Sequence, residues 1–306
     1  MNYFKTFTLM ALLTMLFVFV GNLIGGNSGM LLAFGLAIVM NFFSYWFSDK
    51  IVLAMYGAKE ADKAEYKQLY ALVGNLASRA SIPMPKVYVL QAPMANAFAT
   101  GRNPEHSALA VTAMVLELLD AKELEAVLAH EISHIKNRDI LIGTIAATFA
   151  GAITMAGSMV RWAAIFGGIG KNEDRGGGAI GFLVLAILAP FAALLIQLAI
   201  SRSREYEADN GSAEITGRPQ YLISALEKLT SAVSKKTQQS ATPATAHMFI
   251  VNPFKGGGLT SLFSTHPSLE QRKENLKKKY TFILNTHVCH GKQSFMFLTI
   301  KWAGAK

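Results

Sequence analysis

Four long apolar runs divide the chain. Residues 6–24 and 30–48 contain no charged side chain, and each approaches the ~20 residues that an α-helix needs to cross a bilayer. The connector Gly25-Gly26-Asn27-Ser28-Gly29 leaves room only for a tight turn, so the pair predicts a transmembrane hairpin. Tyr45 and Trp46 stand near its end, where an aromatic belt belongs. A cleaved signal peptide is the rival for the first run. Lys5 gives it only a weak positive start, no convincing A-x-A site follows, and a second apolar run comes at once. The second pair comprises residues 140–160, 21 residues without a charge, and 176–200, 25 residues with Pro190 inside. Proline is tolerated in membrane helices. A hydrophobic hairpin buried in protein is the alternative for this pair; spanning is the favoured reading.

Between and after these runs the pattern turns polar. Over residues 49–79, Glu60, Asp62, Lys63, Glu65 and Lys67 alternate with Leu69, Leu72, Val73 and Leu76 at helical spacing, which predicts an amphipathic helix over a domain. Ile82-Pro83-Met84-Pro85 ends it. Residues 86–90, 96–101 and 108–112 read as three short strands from their β-branched and aromatic content, with Arg102-Asn103-Pro104 as a turn. An edge strand of such a sheet could pair with an extended peptide, or the sheet could only support the next helix. Residues 201–232 return to helix, amphipathic from Tyr221 to Ser231, and 233–263 read as loop. The fold class predicted is α+β, mainly helical, with four transmembrane helices and a small β-sheet. Its parts are a hairpin (1–49), a first half-domain with the sheet (50–139), a second hairpin (140–200), a second half-domain (201–276) and a tail (277–306).

Composition agrees with a membrane protein. The chain is 52% hydrophobic and only 16% charged, with a mean hydropathy of +0.31, against about 25% charged in soluble proteins. The net charge of +9 does not point to nucleic acid in this context. With both hairpins crossing, only Arg161, Lys171 and Arg175 fall on the far side. All the other lysines and arginines, including Lys50, Lys136, Arg138, Arg202 and Arg204 at the span ends, share a side with both termini. Positive charge marks the cytoplasmic face, so this predicts a multi-pass protein of the cytoplasmic membrane with its polar domain inside. A lone cysteine, Cys289, permits no internal disulfide and fits a reducing compartment.

The chemistry lies in His130-Glu131-Ile132-Ser133-His134, an H-E-x-x-H pattern. On a helix, residues four apart share a face, so both imidazoles can reach one metal ion while Glu131 takes a proton from its water. Asp120 is a plausible N-cap with Glu123 as its capping-box partner. A catalytic zinc needs three protein ligands and an open position. The run Ser201 to Asp209 offers Glu205, Glu207 and Asp209. Glu205 and Asp209 share a face, and one could bind metal while the other orients a histidine. The bland reading of this run is a solvated helix end beside the membrane.

His130-Glu131-x-x-His134 followed by Glu205-x-x-x-Asp209 resembles the HtpX family of membrane metalloproteases, relatives of the CAAX prenyl proteases and of the gluzincin zinc peptidases. Asn96-Ala97-Phe98-Ala99 is similar to that family's edge-strand motif. Ser264-Thr265-His266-Pro267-Ser268 with Arg272 is similar to its late H-P-x-x-x-x-R motif. The resemblance covers roughly residues 1–276. It implies a gluzincin-like zinc protease domain with one Zn2+ held by His130, His134 and Glu205. It makes Glu131 the general base and later acid, Asp209 an orienter of the ligands, and His266 the stabiliser of the oxyanion. Arg272 would support that wall, and Asn96 and Ala97 would bind substrate. Read alone, His266 is equally a helix-start histidine before Pro267.

The tail departs from the pattern. His287-Val288-Cys289-His290 lacks paired metal-ligand spacing and is read as incidental. The leading expectation is a membrane zinc endopeptidase acting on protein or peptide substrates, chiefly misfolded membrane proteins under stress, at the bilayer surface. A processing protease for a narrow or lipidated substrate shares the fold. A non-catalytic metal-binding scaffold is the third reading, and Glu131 argues against it, because a structural site has no need of a base.

Overall fold

A computed structural model describes residues 2–145, 202–235, 250 and 267–278. Helix α1, Asn2–Met55, is broken only at Gly25 and Gly26, where Gly26 takes φ 54°, ψ −141°. The turn is tighter than the five-residue connector suggests, because residues 27–29 already belong to the second arm. The two arms fold back in contact. A Cβ on Gly21 would collide with Ala33 and Gly29, and one on Gly29 would collide with the Gly21 carbonyl, so both positions require the absence of a side chain. Further along, Asn41 Nδ2 donates to Thr14 Oγ1 across the arms at 2.8 Å. Phe4, Phe7, Met15, Phe19, Leu31 and Leu32 remain exposed on the hairpin.

Among the described residues, one helix, Gly25–Phe47, is long and apolar enough to cross a membrane; the first arm adds the shorter apolar helix Thr6–Asn22. Of the second predicted hairpin, only residues 140–145 are described. They are helical, and Leu141, Ile142 and Ile145 pack against Leu9 and Leu13 of the first arm. Residues 146–200 lie outside the described residues, so four crossings remain an expectation.

The polar stretch 49–79 is not one helix. Helix α1 runs on to Met55, a short strand β1 (Lys59–Glu60) follows, and α2 begins only at Lys67 (Lys67–Ala80). The break comes at Gly57, which takes φ 61° just past α1, and at β1, which pairs with β2; the Asp62 Oδ1 then accepts the N–H groups of Ala64 and Glu65 at 2.8 and 3.0 Å. This Asx turn leads the chain into α2.

The three predicted strands are present as β2 (Lys86–Leu90), β3 (Ala97–Asn103) and β4 (His106–Thr112). With β1 they form a mixed sheet of order β1-β2-β4-β3, β2 and β4 being parallel. Strand β3 continues through Arg102 and Asn103, so the turn falls at Pro104-Glu105. Both faces are covered, which explains the nearly unbroken apolar run of β4. Val87, Val89, Leu109 and Val111 face the main core with α2 and the later helices. Leu90, Phe98, Ala108 and Ala110 face Val52 and Leu53 at the end of α1. Among the described residues, β3 is an edge strand of this sheet, lying close to where the apolar hairpin ends. Arg102 stacks over Trp46 there, 4.4 Å from the ring centroid.

Short helix α3 (Ala113–Leu118) leads into α4 (Ala121–Lys136). Asp120 caps α4 in a full capping box with Glu123, as the spacing predicts. Glu123 does more than the spacing shows: it also accepts from Ser224 Oγ and Lys228 Nζ, both at 2.6 Å. Those partners lie on α6 (Pro219–Lys235), which follows α5 (Arg202–Thr216). Helix α4 is buried along most of its length, as befits a central helix.

Candidate metal centre

His130, Glu131 and His134 project from the second half of α4 into the space between α5 and β3. What lets α5 come close enough is size. Ser133 sits against Gly211 so tightly that any Cβ at Gly211 would strike the Ser133 Oγ and lie 2.8 Å from its Cβ. The next residue, Ser212, donates its Oγ–H to the Ala126 carbonyl at 2.7 Å. This crossing brings Glu205, at the start of α5, to the histidines.

His130 Nε2 and His134 Nε2 lie 3.2 Å apart. Glu205 Oε2 is 3.8 Å from the first and Oε1 is 3.7 Å from the second. Tetrahedral ligands ~2.0–2.1 Å from a zinc ion lie about 3.3 Å from one another, so these three donors can hold one such ion. Glu207, which helical spacing turns away from the face shared by Glu205 and Asp209, is exposed, whereas Glu205 and Asp209 are buried.

The charges make the same point. Glu131, Asp139, Glu205 and Asp209 are buried here, and among the described residues the buried cations are Arg204 and Arg272. Burying charge is costly unless it is paired, and this site is rich in carboxylates. A divalent cation is the matching counter-charge. The field shows at His134: burial alone would lower its pKa, but the hydrogen bond to Asp139 and the charges of Glu205 and Glu131 raise it to about 9.

Behind each imidazole stands a carboxylate. His130 Nδ1 is 3.0 Å from Asp209 Oδ1. Asp209 in turn receives Arg272 Nη2 at 2.6 Å and Nε at 2.9 Å. Burial would raise the Asp209 pKa, but Arg272 and His130 hold it below the usual carboxylate range. His134 Nδ1 is 2.9 Å from Asp139 Oδ2. Sequence reasoning missed Asp139. Its signal is a short acid placed five residues beyond the second histidine, just before the apolar run at 140.

Glu131 faces the other way, towards the sheet. Its Oε2 accepts the Ala99 N–H at 2.9 Å, and burial pushes its pKa up despite the two histidines. Pairing of Asn96 with Thr112 turns the backbone groups of even residues of β3 towards β4. The odd residues, Ala97 and Ala99, therefore present theirs along the free edge. Asn96 is 3% exposed, and its Oδ1 accepts the Ile250 N–H at 3.1 Å. Arg272 Nη1 donates to the carbonyl of the same Ile250 at 2.9 Å. His266 and the tail residues His287, Cys289 and His290 lie outside the described residues. Pro267, next to His266, is buried.

Two imidazoles one helical turn apart, a carboxylate from a second helix and a buried glutamate beside them make the centre of a metal-dependent hydrolase. The comparisons name the kind. The model of Peptidase family M48 matches residues 63–280. A Protease HtpX homolog from Pyrococcus furiosus is 55% identical over 275 residues, covering 90% of this chain and 94% of that protein. Another, from Syntrophotalea carbinolica, is 52% identical over 277 residues, covering 90% and 98%. The chain thus belongs to peptidase family M48, among the HtpX proteases, and is a metalloprotease. Among solved structures, the crystal structure of S. mikatae Ste24p is similar, at a TM-score of 0.45 and 20% identity. The likeness covers 79% of this chain and 56% of that one.

Proposed function

We propose that this metalloprotease is a zinc endopeptidase embedded in the cytoplasmic membrane, cutting proteins at its inner surface. The observation that carries the reading is the placement of Glu131 between His130/His134/Glu205 and the free edge of β3. A substrate strand added to that edge would meet Ala97 and bring its carbonyl beside both the ion and the base. Asn96 would serve by holding the strand's start, and could reach substrate directly only by exchanging its bond to Ile250.

His130, His134 and Glu205 would hold Zn2+, which polarises the peptide carbonyl and lowers the pKa of water to ~7. Glu131 takes the proton of the attacking water on a carboxylate oxygen and delivers it to the leaving amine. Its raised pKa suits a group that must both accept and give a proton. Asp209 keeps the His130 ring turned towards the metal. His266, preceding the segment that carries Arg272, would donate to the developing oxyanion.

Exposed Phe4, Phe7 and Leu32 on the α1 hairpin support insertion in lipid. The bias of Lys and Arg supports a cytoplasmic catalytic face and cytoplasmic termini. Misfolded or damaged membrane proteins are the proposed substrates, met where their chains leave the bilayer. The test is cleavage of casein and of a destabilised membrane protein by purified enzyme, with and without chelator. Wild type should cut and chelator should stop it. Glu131→Gln should retain zinc and lose cleavage; cutting at wild-type rate by that variant would overturn the assignment. Preference for a prenylated peptide over the misfolded protein would instead favour a processing role.

A further inference from the structure

We infer that Asp139 is a positioning residue for His134, tying the metal centre to the start of the apolar segment at 140. The inference rests on the metal site proposed above and adds a residue to it. Three features carry it. Asp139 Oδ2 lies 2.9 Å from His134 Nδ1, the ring nitrogen opposite the one facing His130 and Glu205. The chain is bent to achieve this. After α4 ends, Arg138 takes φ 60°, a left-handed conformation uncommon for a side chain of its size. The Asp139 N–H then returns to the His134 carbonyl at 3.1 Å. One residue thus holds both the ring and the backbone of His134. Finally, Asp139 is 6% exposed and the neighbouring cation is the equally buried Arg204, on which the Asp139 charge acts.

The result is a second relay beside the first. His130–Asp209–Arg272 anchors one imidazole to the late helix at residues 269–278. His134–Asp139, with Arg204 beside it, anchors the other where α4, α5 and the helix beginning at 140 meet. Arg204 precedes Glu205 directly, so both ligands on this side share one support. A carboxylate on the outer nitrogen fixes the tautomer, with Nδ1 protonated and Nε2 free to bind metal. Asp139 immediately precedes helical residues 140–145, which pack on Leu9 and Leu13. The orientation of His134 is therefore set by the same residue that starts the apolar segment.

The test uses full-length zinc-loaded protein in detergent, titrated with a graded series of competing chelators. Asp139→Ala should weaken zinc binding about 10- to 100-fold. Asp139→Asn keeps an acceptor for Nδ1–H and should lose less. The d–d absorption of cobalt(II)-substituted protein should change in Asp139→Ala and return towards wild type in Asp139→Asn. Wild-type zinc affinity and cobalt spectra in both variants would overturn the inference. So would a lower melting temperature at saturating zinc with unchanged affinity, which marks a role in the fold alone. Should Asp139→Ala fail to fold, the Asn variant decides by the same readouts. Failure of the wild type to bind zinc would instead refute the metal site itself.

Discussion

Asp209 joins two functions that a single substitution pair can separate. It is 0% exposed, receives two bonds from Arg272 and stands 3.0 Å from His130 Nδ1. Asp209→Asn preserves shape but removes the charge, and it turns an NH2 group towards one of the surrounding donors. Arg272 is then a buried cation that has lost its nearest counter-ion, with Glu205 Oε2 still 4.0 Å from Nη1, so the cost falls below the ~3–5 kcal/mol of a buried charge left with no partner. His130 loses its anionic support, which should weaken zinc binding about 10- to 100-fold, or ~1.4–2.7 kcal/mol. In the double variant Asp209→Asn/Arg272→Met the stranded cation is gone, so part of the lost stability should return. Zinc affinity should not return, because His130 is still unsupported. Thermal melting at saturating zinc reads the first quantity, and chelator competition reads the second. The Asp209 pKa is lowered in the fold, so its stabilisation is in force above the unfolded-state value and lost as pH falls through the folded one. The Asn variant should therefore lose part of the acid limb of the stability profile. Recovery of zinc affinity together with stability in the double variant would refute the separation. So would wild-type behaviour of the single variant.

Three further outcomes follow from the geometry. Gly211→Ala forces a Cβ onto Ser133 and should cost about 1–3 kcal/mol, lowering the melting temperature and the zinc affinity together as α5 carries Glu205 outward; Ser133→Gly in the same chain should relieve it. The raised His134 pKa of about 9 means that a proton competes with metal below that pH, so zinc affinity should fall about tenfold per unit as pH drops from 8 to 6. A flat profile by chelator competition would contradict this. Orientation can be read with Cys289→Ser as background. A cysteine at Asn27, beside the hairpin turn, should react with an impermeant thiol reagent from outside, and one at Glu65 only in inverted vesicles.

Much was legible without coordinates wherever the physics is local. Helical periodicity fixes which residues share a face, so the pairing of His130 with His134 and of Glu205 with Asp209 follows from spacing four. The capping box at Asp120 and Glu123, the strands at 86–90 and 108–112 and the apolar hairpin likewise follow from nearest-neighbour chemistry. Local differences remain: the helix read through 49–79 is interrupted at Gly57 and β1, and the turn after β3 falls at Pro104-Glu105, because periodicity does not register a positive-φ glycine or the pairing of a short strand with a distant one.

What the tertiary structure alone decides is proximity between segments far apart in the chain. Choosing Glu205 over Asp209 as the ligand on physical grounds required the placement of α5 against α4, and their close approach depends on the missing side chain of Gly211 against Ser133. Nothing in the sequence around Ala99 announces that its N–H meets Glu131. The partnership of Arg272 with Asp209, and the support of His134 by Asp139, depend on the burial of charges whose balance exists only once the helices meet. Local patterns determine the donors available to a metal; packing determines which of them converge, because a buried charge is tolerated only where its counter-charge is brought to it.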